Sequence, residues 1–89
     1  MVTFIILINV KKNRITETAE QLADLPEVSE VYSVTGLYDL VAIVRTKTND
    51  DVAELVAAKL GTIKGIKKTD TMLAFKAFSK HDLESMFSI

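Results

Sequence analysis

The first ten residues constrain the fold of this chain more than any other segment. They are rich in β-branched and aromatic side chains, which favours a β-strand. The apolar side chains alternate between two faces, with Phe4, Ile6 and Ile8 on one and Ile5 and Leu7 on the other. A strand that is apolar on both faces has to be covered on both sides. We therefore predict that residues 1–10 form a central strand of a sheet.

Three further segments are predicted to be strands. Val28–Thr35 alternates in the manner of a half-exposed strand, and we place three side chains on one of its faces: Val28, Tyr32 and Val34. Gly36–Asp39 makes a tight connection to a third strand, Leu40–Val44, so these two strands are predicted to form a hairpin. Leu40–Val44 is apolar on both faces. The last strand, Ile66–Phe78, is polar at first and apolar later.

Two segments have the periodicity of helices. The first follows Asn13, a predicted N-cap, and ends around Leu25, before a proline. The second is predicted to begin with a capping box at Thr48-x-x-Asp and to run to about Leu60. Gly61 suits the left-handed backbone conformation that commonly ends a helix.

The element order β-α-β-β-α-β predicts an α+β, ferredoxin-like fold with a four-stranded antiparallel sheet and two helices on one face. Right-handed crossovers place the first and third strands in the centre and the second and fourth at the edges. We expect residues 1–89 to form a single domain, with a short C-terminal extension from about residue 79.

Two helices can cover only one face of this sheet, yet the central strands are apolar on both faces. An uncovered apolar face of this size usually marks an interface. We predict that two sheets pack face to face in a two-fold dimer, a dimeric α/β barrel. The alternative is that the C-terminal segment, with a short helix over residues 81–87, folds back over the sheet, although it is short for that task.

Composition excludes several classes of function. A content of 48% apolar residues rules out a disordered chain, and the absence of cysteine excludes thiolate catalysis and cysteine-based metal sites. The net charge of -1 provides no general attraction for nucleic acid or for an anionic membrane. Val2–Ile8 follows no basic run and is too short to span a membrane, so we expect a cytoplasmic protein without a targeting segment.

No catalytic or metal-binding constellation stands out, and we expect no catalytic residue, metal or cofactor. His81 is the only histidine and is expected to face solvent. Asp50 and Asp51 are interpreted as stabilising a helix start through the helix dipole. The strongest basic cluster lacks the interleaved aromatic residues of nucleic-acid sites, so we interpret it as a solvated edge. It consists of Lys64, Lys67 and Lys68.

The segment Val34–Leu40 is the best candidate for a binding site. Gly36 permits unusual backbone angles and exposes backbone N–H groups, and Asp39 supplies a carboxylate where a central strand begins. A carboxylate can pair with an ammonium group, and free amides can bind a carboxylate; these two ligand groups define an α-amino acid. The alternative is a plain hairpin turn in which Asp39 caps its own backbone.

Two motifs resemble the effector-binding domain of the Lrp/AsnC (feast/famine) transcriptional regulators, also called the RAM domain. The first motif is LPEV at residues 25–28 followed by VTGLYDL at residues 34–40. The second, GIKKTDT at residues 65–71, is similar to the family's G-V-x-x-T-x-T strand start. The resemblance covers nearly the whole chain, from Thr3 to about Phe78.

The resemblance implies a βαββαβ fold whose sheets pair into homodimers and whose dimers assemble into rings, often octamers. It also implies that amino-acid effectors bind between dimers, near the glycine–aspartate loop. By motif match, seven residues become candidates for ligand binding: Gly36, Tyr38 and Asp39 on the loop, Thr69, Thr71 and Met72 on the adjacent strand, and Asn49 at the start of the second helix.

The full regulators of this family carry an N-terminal helix-turn-helix domain, whereas the first predicted strand here starts almost at Met1. The chain therefore resembles the stand-alone RAM proteins. We expect it to sense a ligand and to assemble, without direct DNA binding; co-assembly with a full-length regulator is a further option. Two alternative functions remain: a structural ring-forming subunit without an effector, and a small cofactor-independent enzyme of the monooxygenase kind.

Overall fold

The computed structural model describes residues 1–78 and 80, and the predicted order of strands and helices is confirmed within them. The bounds of the elements are β1 Val2–Val10, α1 Ile15–Ala23, β2 Val28–Ser33, β3 Leu40–Thr46, α2 Asn49–Glu54 and β4 Ile66–Ala74. The predicted helix over residues 81–87, with His81, lies outside the described residues. None of the helices described is long and apolar enough to cross a membrane.

The four strands form one antiparallel sheet in the order β2-β3-β1-β4, which is the predicted ferredoxin-like arrangement. β1 pairs with β3 along Val2–Ile8 and with β4 along Thr3–Val10. The pairing with β4 has a register irregularity between Asn9 and Val10. The two strands that are apolar on both faces are therefore the two central strands, as expected from their sequence.

The core lies between the helices and one face of the sheet. Its buried apolar residues are Phe4, Ile6, Ile8 and Val10 of β1, Val28 of β2, Leu40, Ala42 and Val44 of β3, Leu22 of α1, and Val52, Leu55 and Leu60 of the second helical segment. Burying one Leu or Ile side chain contributes about 1.5–3 kcal/mol. The buried residues thus include every second residue of β1 from Phe4 to Val10.

The opposite face of the sheet, here called the open face, has no helix over it among the described residues. Its central side chains are half-buried, namely Thr3, Ile5 and Leu7 of β1 and Val41 and Ile43 of β3. The edge strands add Tyr32 and Met72, which are 49% and 45% exposed. The open face is thus the apolar surface that the helices leave uncovered.

The predicted face assignment in β2 is wrong, because Val28 and Tyr32 lie on opposite faces of the sheet. The register of β2 against β3 shifts between Val28 and Glu30. Val28 lies opposite the buried Val44, whereas Tyr32 lies opposite the half-buried Val41. A β-bulge adds one residue to a strand and reverses the alternation beyond it.

The start of α1 differs from the prediction. Lys12–Arg14 forms a 3-10 turn, so Asn13 lies inside this turn instead of capping the helix. Arg14 takes the N-cap position of α1 and makes no side-chain capping bond. The N–H of Arg14 donates to the carbonyl of Lys11 at 2.9 Å, which closes the turn before the α-helix begins.

The second helix begins as predicted and ends differently. The capping box between Thr48 and Asp51 is present. After α2 the chain continues as a π-helical turn, Leu55–Lys59, and then as a 3-10 turn, Leu60–Thr62. Gly61 lies within this last turn, and its φ angle is not positive. The prediction of a left-handed Gly61 is therefore wrong, because the helix tightens into a 3-10 turn at its end.

The last strand is shorter than predicted. β4 ends at Ala74, which lies opposite Thr3 near the start of β1. Beyond that pair β1 has only Val2, and Phe75 and Phe78 lie outside the strand with 93% and 81% of their surface exposed. The apolar pattern of residues 75–78 resembled a strand, but the length of β1 limits the pairing.

Gly65 allows a close approach between α1 and the segment before β4. A Cβ atom at Gly65 would lie 2.1 Å from Oγ1 of Thr18, which is 1% exposed, and 3.2 Å from Cβ of Arg14. We expect Gly65→Ala to destabilise the fold by the ~1–3 kcal/mol that is typical of overpacking, and thermal unfolding measures this as a lower melting temperature.

Gly61→Ala is the matched control. A Cβ there would meet only the carbonyl oxygen of Val56, at 3.9 Å. Alanine in a turn with negative φ reduces the entropy of the unfolded chain, so the control is expected to melt at or slightly above the wild-type temperature. Equal melting curves for the two variants would contradict the close packing at Gly65.

Candidate functional site

The connection between β2 and β3, residues 34–39, is here called the β2–β3 loop, and it passes over the end of β1. The N–H of Val34 donates to the carbonyl of Asp39 at 3.0 Å, and the N–H of Asp39 donates to the carbonyl of Ile8 at 2.9 Å. Gly36 has a φ angle of +107°, and a Cβ there would meet nothing within 4 Å. The backbone conformation, and not lack of space, is therefore what favours glycine at this position.

The carboxylate of Asp39 is part of the backbone network. Its Oδ2 accepts a hydrogen bond from the N–H of Val10 at 2.7 Å. Val10 lies where the pairing of β1 with β4 becomes irregular, and the carboxylate supplies an acceptor at that point. Asp39 therefore caps the backbone of the neighbouring strand, whereas the plain-turn alternative had it capping its own.

Two side chains hold the β2–β3 loop against the sheet. Nδ2 of Asn9 donates to the carbonyl of Leu37 at 2.9 Å. The hydroxyl of Tyr38 donates to Oδ2 of Asp70 on β4, and this hydrogen bond is the main cause that raises the pKa of Tyr38 above its ordinary value. Since β1 lies between β3 and β4, the loop spans the central strand and reaches the far edge strand.

A shallow groove of about 480 Å³ lies beside this loop and is here called the loop groove. It is lined by Asn9, Leu37, Tyr38, Lys67 and Lys68. Within the described residues, the backbone N–H groups of residues 36–38 donate to no protein oxygen. A cluster of free amides next to two lysines is suited to bind an anionic group such as a carboxylate.

The three candidates on β4 do not all share one face. Thr69 and Thr71 lie opposite Ile8 and Ile6, so they belong to the face that the helices cover. Met72 belongs to the open face. Thr69 is level with the β2–β3 loop along the strand, whereas Thr71 and Met72 lie progressively further from it.

Asn49, the remaining candidate, is not brought to the loop within one chain. It is the first residue of α2 and follows the end of β3 that pairs with the start of β1, whereas the loop lies over the end of β1. Asn49 lines a second, larger groove of about 870 Å³, together with Tyr32, Arg45 and the segment after β4. This second groove lies at the opposite end of the sheet from the loop groove.

Sequence reasoning missed two residues that hold the loop. Asn9 and Asp70 were not candidates, although Asp70 is part of the second motif. The strand periodicity could have identified Asp70, because it is two residues before the candidate Met72 on β4 and therefore lies on the same face of the sheet. No sequence signal pointed to Asn9, because its contact depends on how the loop passes over β1.

Comparison with known proteins agrees with the fold. Residues 3–83 match the model of the Lrp/AsnC ligand binding domain. The chain is 40% identical, over 71 residues, to the HTH-type transcriptional regulator FL11 of Pyrococcus horikoshii. This match covers 80% of the chain and 46% of FL11, so the chain spans about half the length of the curated relatives it matches.

Solved structures with the same fold include both short and long proteins. TTHA0845 from Thermus thermophilus superposes with a TM-score of 0.83 at 42% identity, over 90% of this chain and 100% of that one. AsnC of E. coli superposes with a TM-score of 0.80 at 27% identity, over 85% of this chain and 52% of AsnC. With its family match, its relatives and its fold in agreement, this chain belongs to the Lrp/AsnC ligand-binding (RAM) domain family.

Proposed function

We propose that this domain binds a small amino-acid effector at the β2–β3 loop and the adjoining loop groove, and couples that binding to the assembly of homodimers into a ring. The observation that carries the ligand proposal is the β2–β3 loop, which is hydrogen-bonded to β1 and β4 while the N–H groups of residues 36–38 donate to no oxygen of the described residues. The related proteins are named as transcriptional regulators, and the family is a ligand-binding one, which together point away from an enzyme.

The groups of the loop match the two charged ends of an α-amino acid. The N–H groups of Gly36, Leu37 and Tyr38 would bind the α-carboxylate. Oδ2 of Asp39 accepts from the N–H of Val10, which leaves Oδ1 to accept from the ammonium group. The network around the loop sets this geometry before the ligand arrives, which lowers the entropic cost of binding.

One distant relative of this fold is known with an amino acid bound. The transcriptional regulator NMB0573 from Neisseria meningitidis, in complex with L-Met, superposes with a TM-score of 0.80 at 16% identity. At that identity the likeness concerns the fold alone, so it does not identify the effector of this chain.

Assembly into a dimer would cover the open face. In that proposal Ile5, Leu7, Val41 and Ile43 pack against the same residues of a second copy around a two-fold axis. Further association of dimers into an octamer or similar ring would also bring different ends of the sheet together. Since Asn49 and the β2–β3 loop lie at opposite ends of one chain, Asn49 can contribute to the loop site only from another chain.

A structural ring-forming subunit without an effector remains the second candidate. The observation in its favour is the bond between Asp39 and Val10, because it gives the carboxylate a role that needs no ligand. The proposal also states that the chain acts without direct DNA contact. Co-assembly with full-length regulators is a further option within it.

Two substitutions of Asp39 separate ligand binding from loop positioning. Asp39→Asn keeps an oxygen that can accept from Val10 but has no charge, whereas Asp39→Ala removes both. A charge-assisted contact is worth roughly 1.5–3 kcal/mol, so we expect both variants to lose about tenfold to a hundredfold in affinity for the effector found in a screen of the twenty amino acids. Calorimetric titration measures the affinity, and thermal unfolding of the same samples measures stability.

Asp39→Asn is expected to melt closer to the wild type than Asp39→Ala does. If Asp39→Asn binds the effector as tightly as the wild type, the contact with the ammonium group is wrong and Asp39 only positions the loop. If none of the twenty amino acids binds the wild type, the structural-subunit candidate replaces the sensor.

The dimer is tested by a charge on the open face. Ile5 is half-buried in one chain, so Ile5→Lys would place an ammonium group on the surface of a folded monomer but inside the proposed sheet-to-sheet interface. We expect sedimentation at micromolar concentration to show a folded monomer for this variant and no monomer for the wild type.

Thr16→Lys is the control for this experiment, because Thr16 is exposed on α1, on the other side of the sheet from the open face. It is expected to sediment like the wild type. A wild-type monomer, or an Ile5→Lys variant of unchanged mass, would refute packing through the open face.

A further inference from the structure

The end of the molecule that carries the loop groove is rich in positive charge. The basic residues at this end are Lys11, Lys12 and Arg14 after β1 and Lys64, Lys67 and Lys68 around the start of β4. The two segments are adjacent, since the N–H of Lys11 donates to the carbonyl of Gly65 at 2.9 Å. The chain as a whole has a net charge of -1, so its charge is unevenly distributed.

The carboxylates at this end already have partners. Asp39 accepts from Val10, Asp70 accepts from the Tyr38 hydroxyl, and Glu17 lies 3.3 Å from the guanidinium of Arg14. Of these three carboxylates, only that of Glu17 is paired with a cation at this distance, and Asp39 is assigned above to the ammonium group that all amino acids share. A ligand with a second positive charge on its side chain would meet the excess of basic residues at this end of the molecule.

Lys67 and Lys68, by contrast, are available to an anion. Both line the loop groove beside Leu37 and Tyr38. Nζ of Lys68 is 3.9 Å from Oδ2 of Asp70, at the limit of an ion pair, and its side chain is 68% exposed. Lys67 makes no ion pair within the part of the chain that the structure describes, and it is exposed.

We propose that the loop groove selects amino acids whose side chain ends in a carboxylate, and that Lys67 and Lys68 make this selection. The proposal rests on the function proposed above, because the loop amides and Asp39 would hold the α-carboxylate and the ammonium group that all amino acids share. Beyond the α-carboxylate that all amino acids share, the side-chain carboxylate of a glutamate or aspartate is the group that these lysines would attract.

The test compares matched ligands that differ in one charge. L-glutamate is titrated beside L-glutamine, and L-aspartate beside L-asparagine, each into the wild-type protein in a calorimeter. We expect each dicarboxylate to bind about fivefold more tightly than its amide, which is the difference expected from one exposed ion pair. Because exposed charges are screened by salt, this preference should shrink between low and high ionic strength.

Two lysine variants locate the source of the preference. Lys67→Gln with Lys68→Gln in one chain should bind the dicarboxylate and its amide with equal affinity. Lys47→Gln is the matched control, since Lys47 is exposed and lines neither the loop groove nor the second groove. It should keep the fivefold preference.

The outcomes distinguish failure of the selection by Lys67 and Lys68 from failure of the proposed amino-acid binding. Equal wild-type affinity for glutamate and glutamine, or a preference that survives in the double variant, would overturn the selection by Lys67 and Lys68 and leave amino-acid binding intact. Failure of all twenty amino acids to bind the wild type would overturn the proposed function itself, and this inference with it.

Discussion

β1 is apolar on both faces, and the rest of the structure is arranged around that property. One face, with Ile6 and Ile8, is buried under the helices, and the other face, with Ile5 and Leu7, is only half-buried. Two helices cannot cover two faces, so the fold leaves an apolar surface that a second chain would have to cover. The same strand supports the candidate site, because its last residues bind the β2–β3 loop.

The candidate site combines a hydrogen-bonded loop with backbone donors that have no partner among the described residues. The loop is bonded to β1 through Ile8, Asn9 and Val10 and to β4 through Asp70. These bonds explain why a six-residue connection can keep a defined shape beside an open groove. Asp39 serves the fold with one oxygen and, in the proposal, the ligand with the other, so structure and recognition depend on one side chain. The second groove, with Asn49, would join this site only through assembly.

The sequence predicted the strand order, the central position of β1 and β3 and the capping box at Thr48, because these follow from periodicity and local chemistry. The sequence-based prediction was wrong where a neighbouring strand determines the length or the faces of a strand. The end of β4 depends on where β1 begins, and the faces of β2 depend on a bulge after Val28. For the site, residues 36–39 were predicted as a loop, but the bonds of Asp39 and Tyr38 to other strands are tertiary contacts that spacing does not encode.

Hydrogen exchange followed by mass spectrometry tests most directly whether the β2–β3 loop is the ligand site. The wild-type protein would be compared with and without a saturating amino acid that calorimetry has identified as a ligand. The account predicts slower exchange in peptides that contain residues 36–38, since a bound carboxylate would protect their free amides. Protection confined to peptides that line the second groove, with residues 36–38 unchanged, would contradict it.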